Sequence, residues 1–266
     1  AVTVLDDIIA GVRRDLEDRK AATPLDDVIR EAQAAPPALD PMPRFRAPEL
    51  AVISEVKRKS PSKGDLADIA DPAALASSYA DGGAAAISVL TEKHRFNGSL
   101  ADLDAVRARV QVPVLRKDFM VEEYQFHEAR AHGADLVLLI VASLTDEELT
   151  RFLTLAKDLG MTPLVETHTA EEVDRALAVG AELIGVNNRN LKTLDVDLAT
   201  FGKLAERIGD AAVKVAESGI LTEDDVARVA AEGADVILVG EALVKHGDPT
   251  HAIGSFMAAA ERATRS

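Results

Sequence analysis

The chain contains no cysteine and no tryptophan, and aromatic residues make up only 3% of its 266 residues. Without cysteine there can be no disulfide, thiolate nucleophile or cysteine-ligated zinc, which fits a reducing compartment. Because 47% of the residues are hydrophobic, the chain can build a sizeable core, and that core must be largely aliphatic. The length fits one large α/β domain or two small ones.

Basic residues are also in deficit, since 30 Lys and Arg face 45 Asp and Glu and the formal net charge is −15. Proteins bind nucleic-acid phosphates through a surplus of Lys and Arg, so we expect no nucleic-acid partner. No apolar run approaches the roughly 20 residues needed to span a bilayer. The N-terminus lacks a signal-peptide pattern. We therefore expect a cytoplasmic protein without membrane association.

The N-terminal 48 residues differ in pattern from the rest. Residues 2–20 have the helical period of apolar positions, and Thr23 and Pro24 predict the cap and first position of a second helix. Five prolines at positions 36, 37, 41, 43 and 48 then predict a linker that cannot continue a helix. We expect residues 1–48 to be a helical extension with a Pro-rich linker. It would pack on the main body, residues 49–266, within a single domain overall.

Eight short aliphatic runs follow, each succeeded by a helix-like segment, and this alternation predicts a parallel sheet. The runs are residues 51–56, 85–90, 112–115, 136–141, 162–165, 183–186, 212–216 and 236–239. A Gly-Ala pair precedes four of the strands, beginning at Gly83, Gly133, Gly180 and Gly233. The pairs recur about every 50 residues, so the repeating unit is two βα pairs. Each glycine suits the left-handed position that ends a helix.

Four such units give eight parallel strands, which can close into a barrel. An open doubly wound sheet is the alternative, and it predicts a glycine-rich nucleotide-binding turn after its first strand. The chain has no GxGxxG motif. We therefore predict an α/β fold, a (β/α)8 TIM barrel with an N-terminal helical extension.

Charged residues gather at the predicted carboxyl ends of the strands, where barrels of this kind place their active sites. Alternation puts Glu55 and Lys57 on one face of the first strand, although a surface ion pair explains that segment equally well when it is taken alone. Later strand ends add Lys117, Glu166, Asn187, Arg189 and Glu217. Burying unpaired charges costs several kcal/mol each, so we expect these groups to converge on one site; solvated charges on the rim are the simpler alternative.

A second group of residues has the character of a phosphate site. Ser218-Gly219 and Gly240-Glu241 follow the seventh and eighth strands, where such barrels commonly bind phosphate through backbone N–H groups. Ser60 can join them from the first loop, and tight turns are the alternative explanation. No histidine ends a strand, so we expect no metal site.

Together these residues resemble indole-3-glycerol-phosphate synthase over nearly the whole chain. The most specific motif is EVKRKSPSKG at residues 55–64. Further matches are LTE at 90–92, FNGSL at 96–100, LRKDF at 115–119, VE at 165–166, NNRNL at 187–191 and ESGI at 217–220. The N-terminal extension also fits this family, whose members have an extra helical segment over the barrel mouth.

The resemblance implies a carboxy-lyase of tryptophan biosynthesis that uses general acid/base catalysis and no cofactor. It would convert 1-(2-carboxyphenylamino)-1-deoxyribulose 5-phosphate to indole-3-glycerol phosphate, carbon dioxide and water. Lys117 would protonate the alkoxide formed at ring closure. Lys57 would pair with the substrate carboxylate or donate a proton during dehydration, and the sequence leaves open which lysine serves which step. Glu166 would be the acid/base of dehydration.

The remaining site residues follow from the same resemblance. Glu55, Asn187 and Glu217 would orient the lysines and the substrate hydroxyls. The residues expected to bind substrate are Ser60, Pro61, Phe96, Phe119, Arg189, Leu191, Ser218, Gly219, Gly240 and Glu241. The aromatic and aliphatic members of this set would form an apolar cradle, or serve only ordinary packing. Glu241 departs from relatives with Ser, so its side chain would have to turn away from a phosphate.

Three rival functions can be weighed on the sequence. A phosphoribosyl-anthranilate isomerase normally has a Cys/Asp pair, and this chain has no Cys. A non-catalytic sugar-phosphate sensor would be expected to lose Lys57, Lys117 or Glu166, and all three are present. The length excludes a fused bifunctional enzyme. We expect a monomer acting on a phosphorylated small molecule, because no long apolar stripe remains once the extension is docked.

Overall fold

The computed structural model describes residues 2–60, 64–65, 71–245 and 247–265, with side chains for all of these except 59–60 and 64–65. The predicted TIM barrel is confirmed: eight parallel strands close on themselves in chain order, with the first paired to both the second and the eighth. The barrel strands are β1 Ala51–Val56, β2 Ala86–Leu90, β3 Val114–Lys117, β4 Leu136–Ile140, β5 Thr162–Thr167, β6 Leu183–Asn187, β7 Val213–Glu217 and β8 Val236–Val239. A separate two-residue antiparallel pair joins Lys59–Ser60 to Gly64–Asp65.

Helices surround the barrel and precede it. They are α1 Val4–Ala22, α2 Leu25–Ala34, α3 Met42–Phe45, α4 Pro72–Asp81, α5 Leu100–Arg109, α6 Glu123–Ala131, α7 Asp146–Asp158, α8 Ala170–Ala178, α9 Ala199–Ile208, α10 Glu223–Ala231, α11 Glu241–Lys245 and α12 Pro249–Thr264. A 3-10 turn, Val141–Ser143, follows β4. None of the described helices is long and apolar enough to cross a membrane.

The strand boundaries differ little from the aliphatic runs in the sequence. The largest shift is in β3, predicted at 112–115 and observed at Val114–Lys117. Pro113 has no N–H to donate, and it contributes only its carbonyl, which accepts a hydrogen bond from Ile87 N at 3.0 Å. The helix-ending glycines behave as predicted, since Gly83, Gly133, Gly180 and Gly233 all have positive φ.

Alternate residues of each strand supply two apolar layers. On β1, Val52 and Val56 belong to the layer between strands and helices, whereas Ala51 and Ile53 belong to the barrel interior. Because Glu55 follows Ile53 on the inner face, the strand period carries its carboxylate into the mouth of the barrel. The same alternation operates at the ends of β3, β5 and β7.

The N-terminal extension reaches both ends of the barrel. Helix α1 buries Ile8 and Val12 with the interior residues, and Ile8 lines the cavity at the mouth. Helix α2 packs on α6. Helix α3 lies at the opposite end, where Met42 and the fully buried Phe45 join the interior cluster.

Two local predictions for this extension are wrong. The linker contains the one-turn helix α3, because Pro41 and Pro43 lie where the first turn has no N–H groups to lose. Thr23 is the residue that ends α1, and Pro24 occupies the position before α2 with no side-chain cap. The change of direction at Pro24 therefore takes place without the predicted threonine cap.

Candidate active site

One cavity at the carboxyl ends of the strands brings together most of the residues singled out in the sequence. Six of them were expected to be catalytic: Glu55, Lys57, Lys117, Glu166, Asn187 and Glu217. The others are Phe96, Phe119, Arg189, Leu191, Ser218, Gly219, Gly240 and Glu241. Pro61 lies outside the described residues, and Ser60 is described only through its backbone. The charges are therefore grouped around a shared space, not spread around a solvated rim.

Glu55 is the contact point of the two lysines. Its side chain is 2% exposed, and its Oε2 lies 2.9 Å from Lys117 Nζ while its Oε1 lies 3.8 Å from Lys57 Nζ. Ser88 Oγ on β2 donates a further hydrogen bond to Oε2 at 2.8 Å. Burial favours the neutral acid, but the charges of Lys117 and Lys57 outweigh it and lower the pKa of Glu55. Glu55 is thus held as a carboxylate.

The two lysines differ in pKa. Burial disfavours both ammonium groups. For Lys57 it prevails over the attraction of Glu55, so its pKa is lowered. For Lys117 the carboxylates of Glu55, Glu217 and Glu166 prevail over burial, so its pKa is raised. The site therefore combines a firmly protonated lysine with one that releases its proton more readily.

Asn187 organises the opposite side of the cavity. Its side-chain amide lies 3.4 Å from Glu166 Oε2, and its Oδ1 accepts hydrogen bonds from Ser218 Oγ at 2.7 Å and from Arg189 N at 3.0 Å. The Arg189 guanidinium donates to Leu194 O at 2.9 Å. Three neighbouring strand ends are thus tied together by one amide group.

The loops after β7 and β8 bring backbone to the cavity. Ser218 and Gly219 have φ values of 69° and 75°, and a left-handed non-glycine residue is a strained conformation that clusters at functional sites. Glu241 Oε1 lies 2.9 Å from Lys245 Nζ, one helical turn further along α11. The Glu241 carboxylate also lies near enough to Lys57 and Arg189 to oppose the lowering of their pKa values by burial.

Apolar side chains complete the cavity. The rings of Phe96 and Phe119 lie 6.1 Å apart and are tilted by 31°. Ile8, Leu138 and Leu238 were not singled out in the sequence and also line the cavity. The helical period of α1 predicted that Ile8 is buried but carries no information on which surface covers it. The two leucines belong to the hydrophobic pattern that any barrel interior shows.

A buried ionic cluster lies behind Lys117. Arg116, its neighbour on β3, is fully buried, and its Nη1 lies 2.9 Å from Glu128 Oε1 on α6. Glu128 also accepts a hydrogen bond from Arg19 Nε of α1 at 2.8 Å. Arg116 Nε donates to Thr91 Oγ1 at 3.0 Å, and Thr91 in turn donates to Asp118 at 2.6 Å. The extension is therefore ionically linked to the strand that carries Lys117.

No three His, Asp or Glu side chains within the described ranges are grouped so that they could hold a metal ion. What the cavity does offer is two lysine side chains, three buried carboxyl groups and an apolar wall. These groups can donate and accept protons around a bound organic anion.

Comparison with known proteins agrees with this geometry. Residues 5–256 match the family described as indole-3-glycerol phosphate synthase. A relative of that name from Nocardioides sp. is 62% identical over 252 residues, covering 95% of this chain and 97% of the relative. One from Arthrobacter sp. is 58% identical over 267 residues, covering 98% of both chains.

Solved structures of low sequence identity share the fold. Thiamine phosphate pyrophosphorylase from Pyrococcus furiosus superposes with a TM-score of 0.62 at 18% identity, covering 81% of this chain and 97% of that one. 3-Hexulose-6-phosphate synthase from Salmonella typhimurium gives 0.62 at 14% identity, covering 80% and 100%. These likenesses concern the barrel alone. The match over residues 5–256 and the identity with named relatives show that the chain belongs to the indole-3-glycerol phosphate synthase family.

Proposed function

We propose that this chain converts 1-(2-carboxyphenylamino)-1-deoxyribulose 5-phosphate to indole-3-glycerol phosphate, with release of carbon dioxide and water. Membership of the family supports this reaction. The observation that carries it is the contact of Glu55 with both Lys57 and Lys117 on one cavity at the barrel mouth.

In the ring-closing step, an aromatic carbon attacks the substrate ketone and an alkoxide develops. We assign the proton donor to Lys117, whose ammonium group the adjacent Glu55 carboxylate keeps charged before substrate binds. An alkoxide is more basic than a lysine amine, so the transfer is downhill even from a lysine with a raised pKa. Glu55 orients Lys117 through their 2.9 Å contact.

Loss of carbon dioxide follows, and for this step we assign the substrate carboxylate to Lys57. We place the substrate carboxylate against the apolar wall formed by Phe96, Phe119 and Leu191. A carboxylate that loses its charge as carbon dioxide gains from such surroundings, since they disfavour the charged form.

Dehydration then makes the ring aromatic. We assign acid/base work in this step to Glu166, which Asn187 orients through the amide contact to Oε2. Lys57 is a second candidate donor on account of its lowered pKa. Glu217 and Asn187 would hold the substrate hydroxyls.

The phosphate group is assigned to the loops after β7 and β8. Ser218 and Gly219 would bind it from one side, and the backbone N–H groups of Gly240 and Glu241 from the other. Ser60 would contribute from the first loop, and Arg189 would position the substrate between phosphate and ring. Pro61 would belong to the apolar cradle instead.

We further propose a monomer that works in the cytoplasm, with residues 1–48 and 49–266 as parts of one domain. Large exposed hydrophobic residues in the described part of the chain are separated in sequence: Val2, Leu25, Leu39, Val196 and Leu221. Sedimentation at micromolar concentration tests the monomer, since a dimer would sediment as twice the mass of this chain.

The reaction is tested by mixing the purified chain with the carboxyphenylamino substrate and following indole fluorescence and carbon dioxide. Both products are expected without added metal or nucleotide. Lys117→Ala should lower turnover about 1,000-fold while inorganic phosphate still binds. Lys203→Ala, which removes an exposed lysine of α9, is the matched control. Absence of both products with the wild-type chain would refute the reaction, and near-normal turnover of Lys117→Ala would refute the donor assignment.

A further inference from the structure

At the deepest level of the barrel mouth, buried glutamate side chains outnumber lysine side chains. Glu55, Glu166 and Glu217 are all 3% exposed or less. The two lysines contact Glu55, so its charge is matched directly. In the described part of the chain, both carboxyl oxygens of Glu217 and Oε1 of Glu166 have no hydrogen-bond partner. A buried carboxylate without hydrogen bonds is costly, which indicates that one of these two acids is neutral.

A glycine brings the two acids together. Gly185 lies on β6, between the strands that carry Glu166 and Glu217, and it stands opposite Glu166 in the ladder. A Cβ atom on Gly185 would lie 2.1 Å from Glu217 Oε2, a separation that no real side chain could adopt. The Glu217 carboxyl therefore fills the space that a side chain at position 185 would take. An isolated glycine within a strand commonly marks such a close approach.

The surrounding charges decide which acid is neutral. Burial comes first and the charge of Glu166 second in raising the pKa of Glu217 well above its ordinary value. The facing groups are Lys117 from β3, which opposes this shift, and Glu55 from β1, which adds to it. Asn187, by contrast, directs its amide donor to Glu166, which favours the ionised form there.

We propose that Glu166 and Glu217 share one proton across Gly185, and that Glu217 gives this proton to the hydroxyl that leaves during dehydration. The inference rests on the proposed function and deepens it, since it assigns the donor to Glu217 in place of Lys57. Glu217 thereby becomes a catalytic acid, beyond its orienting role.

The step balances without any further reactant. After ring closure and decarboxylation the intermediate is a 3-hydroxy-2,3-dihydroindole. The C3–O bond breaks as Glu217 protonates the oxygen, and water leaves with the bonding pair. The C2–H bond then breaks, its electrons form the C2–C3 double bond, and the Glu166 carboxylate takes the proton. Transfer of that proton from Glu166 to Glu217 restores the starting state.

The test uses Glu217→Gln, which keeps the size and neutrality of the protonated acid but cannot donate its proton. In single turnovers with substrate labelled at the carboxylate, we expect labelled carbon dioxide within about threefold of the wild-type rate. Indole should form about 100-fold more slowly, which is the low end of general acid catalysis. A non-fluorescent intermediate should accumulate between the two events.

Each other outcome has a definite meaning. Indole formation that keeps pace with carbon dioxide in Glu217→Gln would overturn the proposal, and so would an equal loss of both steps. If the wild-type chain released no carbon dioxide, the proposed function itself would be wrong. The two failures are therefore distinguishable.

A second measurement does not depend on turnover. Infrared difference spectra of the substrate-free wild type at pH 7 should contain the C=O band of a protonated carboxyl group, and Glu217→Gln should lack it. Gly185→Ala should also lose the band and slow indole formation, because the methyl group displaces the Glu217 carboxyl. Gly254→Ala in α12 is the control, since an added methyl there contacts nothing within 4 Å. A wild-type spectrum without the band would refute the shared proton.

Discussion

Arg116 Nη1 lies 2.9 Å from Glu128 Oε1, and both side chains are shut off from solvent. Arg116 is the residue immediately before Lys117, so its side chain enters the layer between strands and helices while that of Lys117 enters the mouth. Arg19 from the extension contacts the same carboxylate. Glu128 therefore forms ion pairs with two guanidinium groups that belong to different parts of the fold.

Glu128→Ala should lower the free energy of unfolding by about 3 kcal/mol. The substitution leaves the buried Arg116 charge with the longer ion pair to Asp118 as its counter-charge, and a poorly compensated buried charge is costly. Urea denaturation measures the change. Glu123→Ala removes an exposed glutamate from the same helix and should cost less than 1 kcal/mol. Equal stabilities of the two variants would contradict the role of the buried pair.

The same pair predicts a pH dependence. Burial alone would raise the pKa of Glu128, but Arg116 and Arg19 outweigh it, so the pKa is lowered from 4.5. A lowered pKa means that the folded state binds the proton less tightly, and stability is lost as the pH falls. The gap in stability between wild type and Glu128→Gln should thus be full at pH 7 and shrink below about pH 4.5. A gap that stayed constant down to pH 3 would exclude this linkage.

Glu55→Gln should move the alkaline limb of the pH profile of kcat/KM to lower pH. Activity is lost first as Lys57 deprotonates, because its pKa is the lower of the two lysines. Glu55 opposes this lowering, so removing its charge lowers the pKa of Lys57 further. Ser88→Ala is the matched control, because it removes a hydrogen bond to Glu55 but leaves the charge. The alkaline limb of Ser88→Ala should shift less than that of Glu55→Gln. Identical limbs in wild type and Glu55→Gln would show that the titrating group is not a lysine beside Glu55.

Ile8→Ala should raise KM about tenfold, equivalent to about 1.4 kcal/mol of lost binding. Ile8 is the contribution of α1 to the wall of the cavity, and its removal leaves part of that wall unfilled. Leu16, in the same helix, packs against Val28 and Tyr124 instead. Leu16→Ala should therefore reduce stability and leave KM unchanged. Steady-state kinetics with both variants separates the two effects. A higher KM in Leu16→Ala but not in Ile8→Ala would show that Ile8 is not the residue of α1 that contributes to substrate binding.

Phe45→Ala should lower the free energy of unfolding by about 3–5 kcal/mol, because it empties a fully buried position beneath the barrel interior. The active site lies at the other end, so kcat/KM of the folded protein should stay within about twofold of wild type. Phe45→Leu is the milder variant for measurements if the alanine protein unfolds. A large loss of kcat/KM in folded Phe45→Leu would show that the two ends are coupled.

The alternation of side chains along a strand explains which parts of this site can be predicted from the sequence. Alternation placed Glu55, Lys117 and Glu217 on inward faces, and eight strand ends that close in a ring bring such residues to one mouth. The predicted barrel is confirmed for the same reason, since each strand and each helix-ending glycine has a local pattern. The resemblance supplied the roles of the residues, which remain proposals.

Contacts between distant segments have no such local pattern. Arg116 occupies a position that a buried parallel strand normally fills with an aliphatic residue. The carboxylates of Glu128 and Asp118 compensate its buried charge. The prolines of α3 led us to predict a linker there. A single helical turn can nevertheless accommodate them, because its first residues donate no intrahelical hydrogen bonds. The relation of Gly185 to Glu217 depends on neighbouring strands. A glycine inside a strand was the available signal.

The position of α3 has a consequence for how the molecule is made. Met42 and Phe45 precede the barrel in the chain, yet their cluster includes Val213 and Val236 of its last two strands. Contacts so distant in sequence form slowly. The apolar cluster that seals the base of the cylinder can therefore be completed only after β8 has been synthesised.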